Sequence, residues 1–256
     1  MPSYIDSHSH IYSEEFDSDR AAVIKKCLAT GVSKIYMPNV DRLSIPRMLE
    51  VEASYPGVCI PMIGLHPCYV KENFEGELQE VETWLAKREF AAVGEVGLDF
   101  YWDMTFRKQQ EAALMVQADL AVRYDLPLVI HCRNSIRETI ELLKSNWNGR
   151  VRGIFHCFSG NLEEAKEIIS MGFYLGIGGV ATFKNGGLDR VLPDLELSHL
   201  VLETDSPYLA PVPYRGKRNE SSYIPLIAEK IAALMNSSVE EVALATTKNV
   251  NAIFKM

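Results

Sequence analysis

Carboxylates and histidines close several apolar segments of this chain. Glu95 follows the apolar run 90–93 and is flanked by Gly94 and, two residues further on, Gly97. A buried strand that ends on a carboxylate predicts a positively charged partner. We therefore expect Glu95 at the centre of a metal site assembled from distant strands. The residues that close the other apolar segments are His8, His10, His66, His131, His156 and Asp205.

The first two of these histidines form a His-x-His pair. Alternation along a strand places His8 and His10 on one side, where both imidazoles can face a metal. Two alternatives remain open, because such pairs are common on surfaces and a histidine at a strand end is often a hydrogen-bonded core residue. For Glu203 and Asp205 the alternative is a helix cap or a turn before Pro207.

All of these histidines except His66 could bind a metal. With the carboxylates of Glu95 and Asp205, these four histidines provide enough ligands for two divalent cations. Glu95 is the expected bridge, because a carboxylate can offer one oxygen to each metal and an imidazole cannot. Two metals about 4 Å apart lower the pKa of bound water and stabilise the attacking and leaving oxygens. Two dications and two carboxylates leave about +2 in the site, which predicts attraction of phosphate.

The elements that must position these residues alternate between strands and helices. Strands are predicted over residues 4–7, 32–37, 58–63, 90–96, 128–131, 151–155, 173–177 and 200–203. Eight such units in 256 residues predict an α/β fold, a (β/α)8 TIM barrel with a parallel sheet. The last helix, over residues 239–254, opens with a capping box of Ser238 and Glu241. No linker interrupts the pattern, so residues 1–256 are predicted to form a single domain.

Taking one position at the end of each predicted strand gives residues that are spaced about one β/α unit apart. The carboxyl ends of barrel strands converge on one rim, whereas a doubly wound open sheet would spread them along a line. Convergence of the chemically active residues therefore favours the barrel. The positions are His8, Asn39, His66, Glu95, His131, His156, Gly178 and Asp205.

Composition restricts the class of protein. A hydrophobic content of 47% is ordinary for a globular protein, and no run of 18 apolar residues predicts a membrane helix. The first residues lack the pattern of a signal peptide, and the five scattered cysteines fit reduced thiols, so we predict a cytoplasmic protein. The net charge of −8 argues against broad electrostatic binding to nucleic acid, but a phosphate can still bind at a local positive site.

Five motifs resemble, in the same order, those of the TatD family of metal-dependent deoxyribonucleases, which are amidohydrolase-like barrels. They are Ser7-His8-Ser9-His10, Gly64-Leu65-His66-Pro67, Gly94-Glu95-Val96-Gly97-Leu98-Asp99, His156-Cys157-Phe158-Ser159-Gly160 and Glu203-Thr204-Asp205-Ser206-Pro207-Tyr208-Leu209. The resemblance places His66 close to the metals, as a substrate-binding or acid/base residue. It implies that the metal ligands are His8, His10, Glu95, His131, His156 and Asp205.

Substrate contacts are predicted from charge and position on the rim. Arg133 is expected to hold a phosphate through paired hydrogen bonds. The basic segment 215–218 resembles the family's basic loop, although Ser221 stands where the family usually has Pro, and its alternative is a solvated loop. Aromatic residues of the rim loops are expected to stack on unpaired bases; they are Phe74, Tyr101, Trp102 and Phe158. The predicted substrate contacts are Arg133, Ser159, Tyr208, Arg215, Lys217 and Arg218.

The resulting prediction is a deoxyribonuclease, a 3′–5′ exonuclease that hydrolyses phosphodiester bonds with water activated by two metals. Glu95, Asp205 and His66 are the predicted catalytic residues. Asp205 would take up a proton or orient the water, and His66 would protonate the leaving oxygen or bind phosphate. The ligands suit Zn²⁺ or Mn²⁺, whereas phosphoryl chemistry and the resemblance suggest Mg²⁺. The predicted partner is DNA, as single strands or 3′ ends, with no membrane association and no obligate protein partner.

Two other functions remain open from the sequence. A small-molecule amidohydrolase or lactonase would use the same binuclear site on a C–N or ester bond. A non-catalytic barrel would bind metal structurally, and Glu95→Ala would then lose little more than stability.

Overall fold

The computed structural model describes residues 2–147 and 149–254, which contain eight parallel strands. The strands pair in chain order within two groups, β1 to β3 and β4 to β8. Their bounds are β1 Tyr4–Asp6, β2 Val32–Pro38, β3 Cys59–Met62, β4 Val93–Asp99, β5 Leu128–Arg133, β6 Gly153–Phe155, β7 Phe173–Ile177 and β8 Leu200–Leu202.

Two short parallel bridges join the groups into a ring. Ile63 pairs with Val93 between β3 and β4, and Ser9 pairs with Ser206 beyond β1 and β8. The N–H of Ser7 also donates to the carbonyl of Leu202 at 3.0 Å. The sheet therefore closes, and the predicted single-domain barrel is confirmed. Residues 1 and 256, the ends of the predicted domain, lie outside the described residues.

Helices cover the outside of the barrel. The connection between β7 and β8 departs from the expected α-helix, since its described helical segments are short 3₁₀ turns between Gly179 and His199. Helix α7 follows β8 instead and packs against those turns. The helices are α1 Arg20–Ala29, α2 Ile45–Ser54, α3 Phe74–Lys87, α4 Arg107–Arg123, α5 Ile136–Trp147, α6 Leu162–Ser170, α7 Ile224–Met235 and α8 Val239–Ile253.

The core has two layers, one between strands and helices and one inside the barrel. The inner layer contains residues such as Ile5, Val129 and Val201, which alternation directs away from the helices. Phe254, which follows helix α8, closes this layer at one end of the barrel. Its ring stacks on Tyr36 with centroids 4.2 Å apart. Helix α8 begins with the predicted capping box, in which Ser238 and Glu241 bond reciprocally. The mouth at the opposite end is left for polar residues.

The largest error in the predicted strand bounds concerns β4. The sequence predicts residues 90–96 for this strand, with Glu95 near its end, but the strand spans Val93–Asp99. Pairing with β5 continues to Asp99 opposite Arg133, with one irregularity between Gly94 and Val96. Glu95 therefore lies inside the strand, and β5 likewise extends past His131.

No helix within residues 2–147 and 149–254 combines the length and apolarity that crossing a bilayer requires.

Candidate metal centre

The six predicted metal ligands meet at one rim of the barrel. They come from the segment after β1, from inside β4 and β5, from the residue after β6 and from the segment after β8. The donor atoms of two overlapping trios lie within 4.8 Å of one another. One trio is His8, His10 and Glu95, and the other is His8, His156 and Asp205. The convergence expected of a barrel rim is therefore present.

The two carboxylate oxygens of Glu95 face different histidines. Oε2 lies 3.2 Å from Nε2 of His8 and 3.4 Å from Nε2 of His10. Oε1 lies 2.8 Å from Nε2 of His156 and 3.0 Å from Nδ1 of His131. The carboxylate thus stands between two pairs of imidazoles and directs one oxygen at each pair.

Neighbouring strands fix Glu95 in this position. Its backbone N–H donates to the carbonyl of Asn39 at 3.2 Å, and the Asn39 side-chain oxygen accepts the N–H of Gly64 at 2.6 Å. Burial alone would raise the pKa of Glu95, but the ring of imidazoles around it holds that pKa well below its usual range. Glu95 is therefore an ionised acceptor in a buried site.

Asp205 lies on the side of the site that His8 and His10 form. Its Oδ1 is 3.8 Å from Nε2 of His8 and 3.6 Å from Nε2 of His10. Asp6 brings these distant segments together, because its Oδ1 accepts the N–H groups of both His8 and Thr204, at 3.2 and 3.0 Å. Burial raises the pKa of Asp6 to about 7. The first and last strands are thereby joined through a buried carboxyl group.

Hydrogen bonds behind two of the rings determine which nitrogen faces the central carboxylate. The hydroxyl of Tyr12 donates to the Pro38 carbonyl at 2.7 Å, so it accepts a hydrogen bond from Nδ1 of His10 at 3.1 Å. Nε2 of His131 donates to Oδ2 of Asp99 at 2.9 Å. When each ring is neutral, its other nitrogen therefore directs a lone pair into the site. Histidine metal ligands are commonly oriented in this way.

His66 directs a proton into the site, whereas His10 and His131 direct a lone pair into it. Its Nδ1 accepts the N–H of Cys68 at 3.0 Å, so the neutral ring carries its proton on Nε2. That nitrogen lies 3.2 Å from Oε1 of Glu95. Burial lowers the pKa of His66, which favours the neutral ring. Although His66, Glu95 and His131 are close enough to hold a metal, a protonated Nε2 has no lone pair to offer, and His66 acts as a hydrogen-bond donor.

The environment of His8 shows that the site fits a cation. The ring is fully buried; its Nε2 faces Oε2 of Glu95 at 3.2 Å without an aligned hydrogen bond, and its Nδ1 has no hydrogen-bond partner within residues 2–147 and 149–254. It stacks on the ring of His156, with centroids 3.9 Å apart and planes 7° from parallel. Buried nitrogens without partners are costly, and metal coordination removes that cost. Imidazole and carboxylate groups together form a donor set suited to Zn²⁺ or Mn²⁺.

Glu203 lies directly behind His156. Its Oε1 accepts the N–H of Cys157 and lies 3.7 Å from Nδ1 of His156. The side chain is completely buried, and a Cβ added to Gly176 would lie 2.1 Å from Oε2. Glycine at that position therefore makes room for the carboxylate that faces the outer nitrogen of His156.

Comparison with known proteins agrees with this arrangement. A family model described as TatD-related DNase matches residues 5–255. The chain belongs to this family. The resemblance inferred from the five sequence motifs is therefore confirmed.

Relatives of this TatD-family chain cover nearly its whole length. It is 36% identical over 252 residues to YabD of Bacillus subtilis (strain 168), an uncharacterized metal-dependent hydrolase, covering 98% of both proteins. It is 31% identical over 254 residues to the 3′–5′ ssDNA/RNA exonuclease TatD of Pantoea vagans (strain C9-1), covering 96% of this chain and 97% of that one. The crystal structure of the TatD homologue YjjV from Escherichia coli K12 has a TM-score of 0.92 at 29% identity, covering 99% and 98% of the two chains. The chain is thus a metal-dependent hydrolase of ester bonds.

One of the predicted phosphate contacts in the basic loop has a protein partner in the TatD-family chain. Both terminal nitrogens of Arg218 bind the carboxylate of Asp19, at 2.8 and 2.6 Å, and one also donates to the Glu15 carbonyl. This occupied guanidinium ties the loop to the segment before α1 and does not support a phosphate contact. Arg215 lies over the ring of Phe183 instead, and Lys217 is exposed.

The other side chains that are predicted to contact the substrate differ in their exposure to solvent. Tyr208 is exposed and its ring lies edge-on to His10, with centroids 6.3 Å apart, and Ser159 is also exposed. Phe158 is buried in the main core, and Phe74 packs into a small apolar cluster under helix α3, so neither supports base stacking. Tyr101 and Trp102 are exposed in the loop that follows β4, so base stacking stays a prediction for these two residues.

Sequence reasoning missed the residues that orient the ligands. Asp99 lies four residues after Glu95 on β4, and strand alternation alone places both side chains on the same face. Tyr12 likewise follows His10 by two residues. Glu203 was considered only as a cap or turn residue. A period-two signal was therefore available for Asp99, whereas the contact of Glu203 with His156 depends on the closed barrel.

Proposed function

We propose that the chain hydrolyses phosphodiester bonds in single-stranded DNA or RNA from the 3′ end, with two divalent cations. The observation that carries the proposal is the division of the Glu95 oxygens between two pairs of imidazoles. A carboxylate that directs one oxygen at each of two ligand groups can hold two metals side by side, at the separation that two-metal hydrolysis uses. The relative from Pantoea vagans, named as a 3′–5′ ssDNA/RNA exonuclease, supports the substrate class.

The ligands divide into two groups that share Glu95. His8, His10 and Asp205 would hold one cation, and His131 and His156 would hold the other. When bound, the cations activate water and neutralise charge on the reacting phosphate. Mg²⁺ or Mn²⁺ fits the proposed chemistry, and the histidine-rich donor set also suits Zn²⁺.

Asp205 is the proposed acceptor of the proton from the attacking water. Burial alone would raise its pKa, but the hydrogen bond with His10 and the charges of His8 and His156 lower it. Asp205 is therefore ionised at neutral pH. Its side chain is more exposed than that of Glu95, 16% against 3%, so it is the carboxylate that solvent reaches.

His66 is the proposed donor to the phosphate. A neutral imidazole with its proton on Nε2 can stabilise charge on a phosphoryl oxygen through a hydrogen bond. It is poorly suited to protonating the leaving oxygen, because a second proton on Nδ1 would face the N–H of Cys68. The structure thus favours one of the two roles that the sequence left open.

The decisive experiment compares wild type with Glu95→Gln on a 5′-labelled single-stranded oligonucleotide, with added metal and with EDTA. Wild type should shorten the strand stepwise only with metal, and the variant should lose this activity while its circular dichroism spectrum is unchanged. Turnover of lactones or cyclic amides without any cleavage of the oligonucleotide would instead identify a small-molecule hydrolase. Unchanged activity of Glu95→Gln would contradict the metal-bridging role.

A cytoplasmic location and the absence of an obligate protein partner stay predictions. All five cysteines are free, which supports a reducing compartment.

A further inference from the structure

Two large aromatic side chains are exposed beside the metal centre. Tyr101 and Trp102 follow β4 directly, and 53% and 68% of their surfaces are exposed. Their rings are edge-to-face, with centroids 4.9 Å apart. Adjacent exposed aromatic groups form an apolar patch of the kind that often marks a binding surface. Both residues follow β4 at the rim of the barrel that carries the metal ligands.

Arg133 covers this pair from the neighbouring strand. Its guanidinium carbon lies 3.8 Å from the ring centroid of Tyr101 and 5.0 Å from that of Trp102. Within residues 2–147 and 149–254, no carboxylate forms an ion pair with Arg133, in contrast to Arg218. The cluster therefore combines aromatic faces with a positive charge that remains available to an anion.

Asp99 holds this cluster in a fixed relation to the metal centre. Its Oδ1 accepts the N–H groups of Tyr101 and Trp102, at 3.0 and 3.2 Å. Its Oδ2 accepts the hydrogen bond from Nε2 of His131 at 2.9 Å. The side-chain oxygen of Gln110 accepts the backbone N–H of Asp99 at 2.9 Å, which further fixes this residue. One carboxylate thus positions both a metal ligand and the aromatic turn.

We propose that Tyr101, Trp102 and Arg133 form a binding site for an unpaired nucleobase and its phosphate, next to the bond that is cleaved. The proposal rests on the proposed nuclease function and adds the basis of its selectivity for single strands. An unpaired base offers its flat face to an aromatic ring, while Arg133 reaches the adjoining phosphate. A base inside a duplex is stacked on both faces and cannot be received in this way.

The test uses Trp102→Ala on three substrates: a single-stranded oligonucleotide, the same strand with a 3′-terminal abasic nucleotide, and bis(4-nitrophenyl) phosphate. We expect kcat/KM on the intact strand to fall about 5- to 100-fold, which is the usual range for one base–aromatic contact. The abasic end should lower kcat/KM of wild type by a similar factor and add little to the loss in the variant. Hydrolysis of the small diester, which carries no nucleobase, should fall less than cleavage of the intact strand.

Two further measurements complete the design. Leu244→Ala, which removes an equally exposed apolar side chain from α8, should leave every rate unchanged. In EDTA, the fluorescence anisotropy of a labelled oligonucleotide should show weaker binding to Trp102→Ala than to wild type. This second readout does not depend on the metal-loaded enzyme.

The outcomes separate the two proposals. If wild type cleaves the strand and Trp102→Ala matches it, the base-binding site is wrong and the nuclease function stands. An equal loss on the strand and on the small diester would assign the loop to the metal centre rather than to a base. If wild type with metal cleaves no nucleic acid, the nuclease function itself fails.

Discussion

The carboxylate of Asp99 accepts a hydrogen bond from Nε2 of His131, 2.9 Å away, on the side of the ring opposite Glu95. Burial alone would raise the pKa of Asp99, but this bond and two backbone N–H groups hold the pKa well below its usual range. The acceptor is therefore ionised across the pH range in which enzymes work. It fixes the tautomer in which Nδ1 of His131 has a lone pair for a metal.

Asp99→Asn should weaken metal binding while preserving the turn that follows it. An asparagine oxygen can still accept the N–H groups of Tyr101 and Trp102, but its amide N–H₂ would face the N–H of His131. Loss of such an outer partner typically lowers metal affinity 10- to 100-fold. Isothermal titration with Mn²⁺ measures the change. Metal affinity equal to wild type would show that Asp99 does not orient the ring.

Metal content should depend on which histidine is removed. Wild type is expected to bind two cations per chain, and His131→Ala about one, because His8, His10 and Asp205 remain on the other side of Glu95. Elemental analysis after dialysis provides the count. His199→Ala is the matched control, since this histidine precedes β8 at the opposite end of the barrel. A wild-type content of one metal would contradict the bridging geometry.

His66→Ala should lower kcat without releasing metal. Removal of one preorganised donor usually costs about 10²- to 10³-fold in kcat. His66→Gln keeps an N–H donor and should recover part of this loss. Elemental analysis of both variants should match wild type, whereas loss of a cation in His66→Ala would make His66 a ligand. Nitrogen NMR of the histidine rings should show the proton of His66 on Nε2.

The sequence was sufficient to identify which residues meet, because barrel topology requires it. Strand ends about one β/α unit apart converge on one rim, so the topology alone predicts that Glu95 and Asp205 lie close together. The sequence does not predict which nitrogen of each imidazole carries the proton. Whether His66 offers a proton or a lone pair depends on one hydrogen bond from Cys68, and the pairing of Arg218 with Asp19 depends on how two distant loops pack.

Gly97→Ala should destabilise the fold at the strand pair that carries the site. Gly97 has φ of +142° and lies opposite His131, and an added Cβ would lie 2.0 Å from the His131 carbonyl oxygen. The backbone cannot move aside without breaking the β4–β5 pairing. We expect the free energy of unfolding to fall by at least about 2 kcal/mol, measured by urea denaturation.

Gly76→Ala provides the matched control for this substitution. Gly76 lies in the first turn of α3, and nothing lies within 4 Å of its added Cβ. Alanine has the higher helix propensity, so the free energy of unfolding should rise by up to about 1 kcal/mol. Equal effects of the two substitutions would mean that the strands do not approach as closely at Gly97 as described. Opposite signs would tie the loss to the contact between β4 and β5, because both changes add the same single carbon.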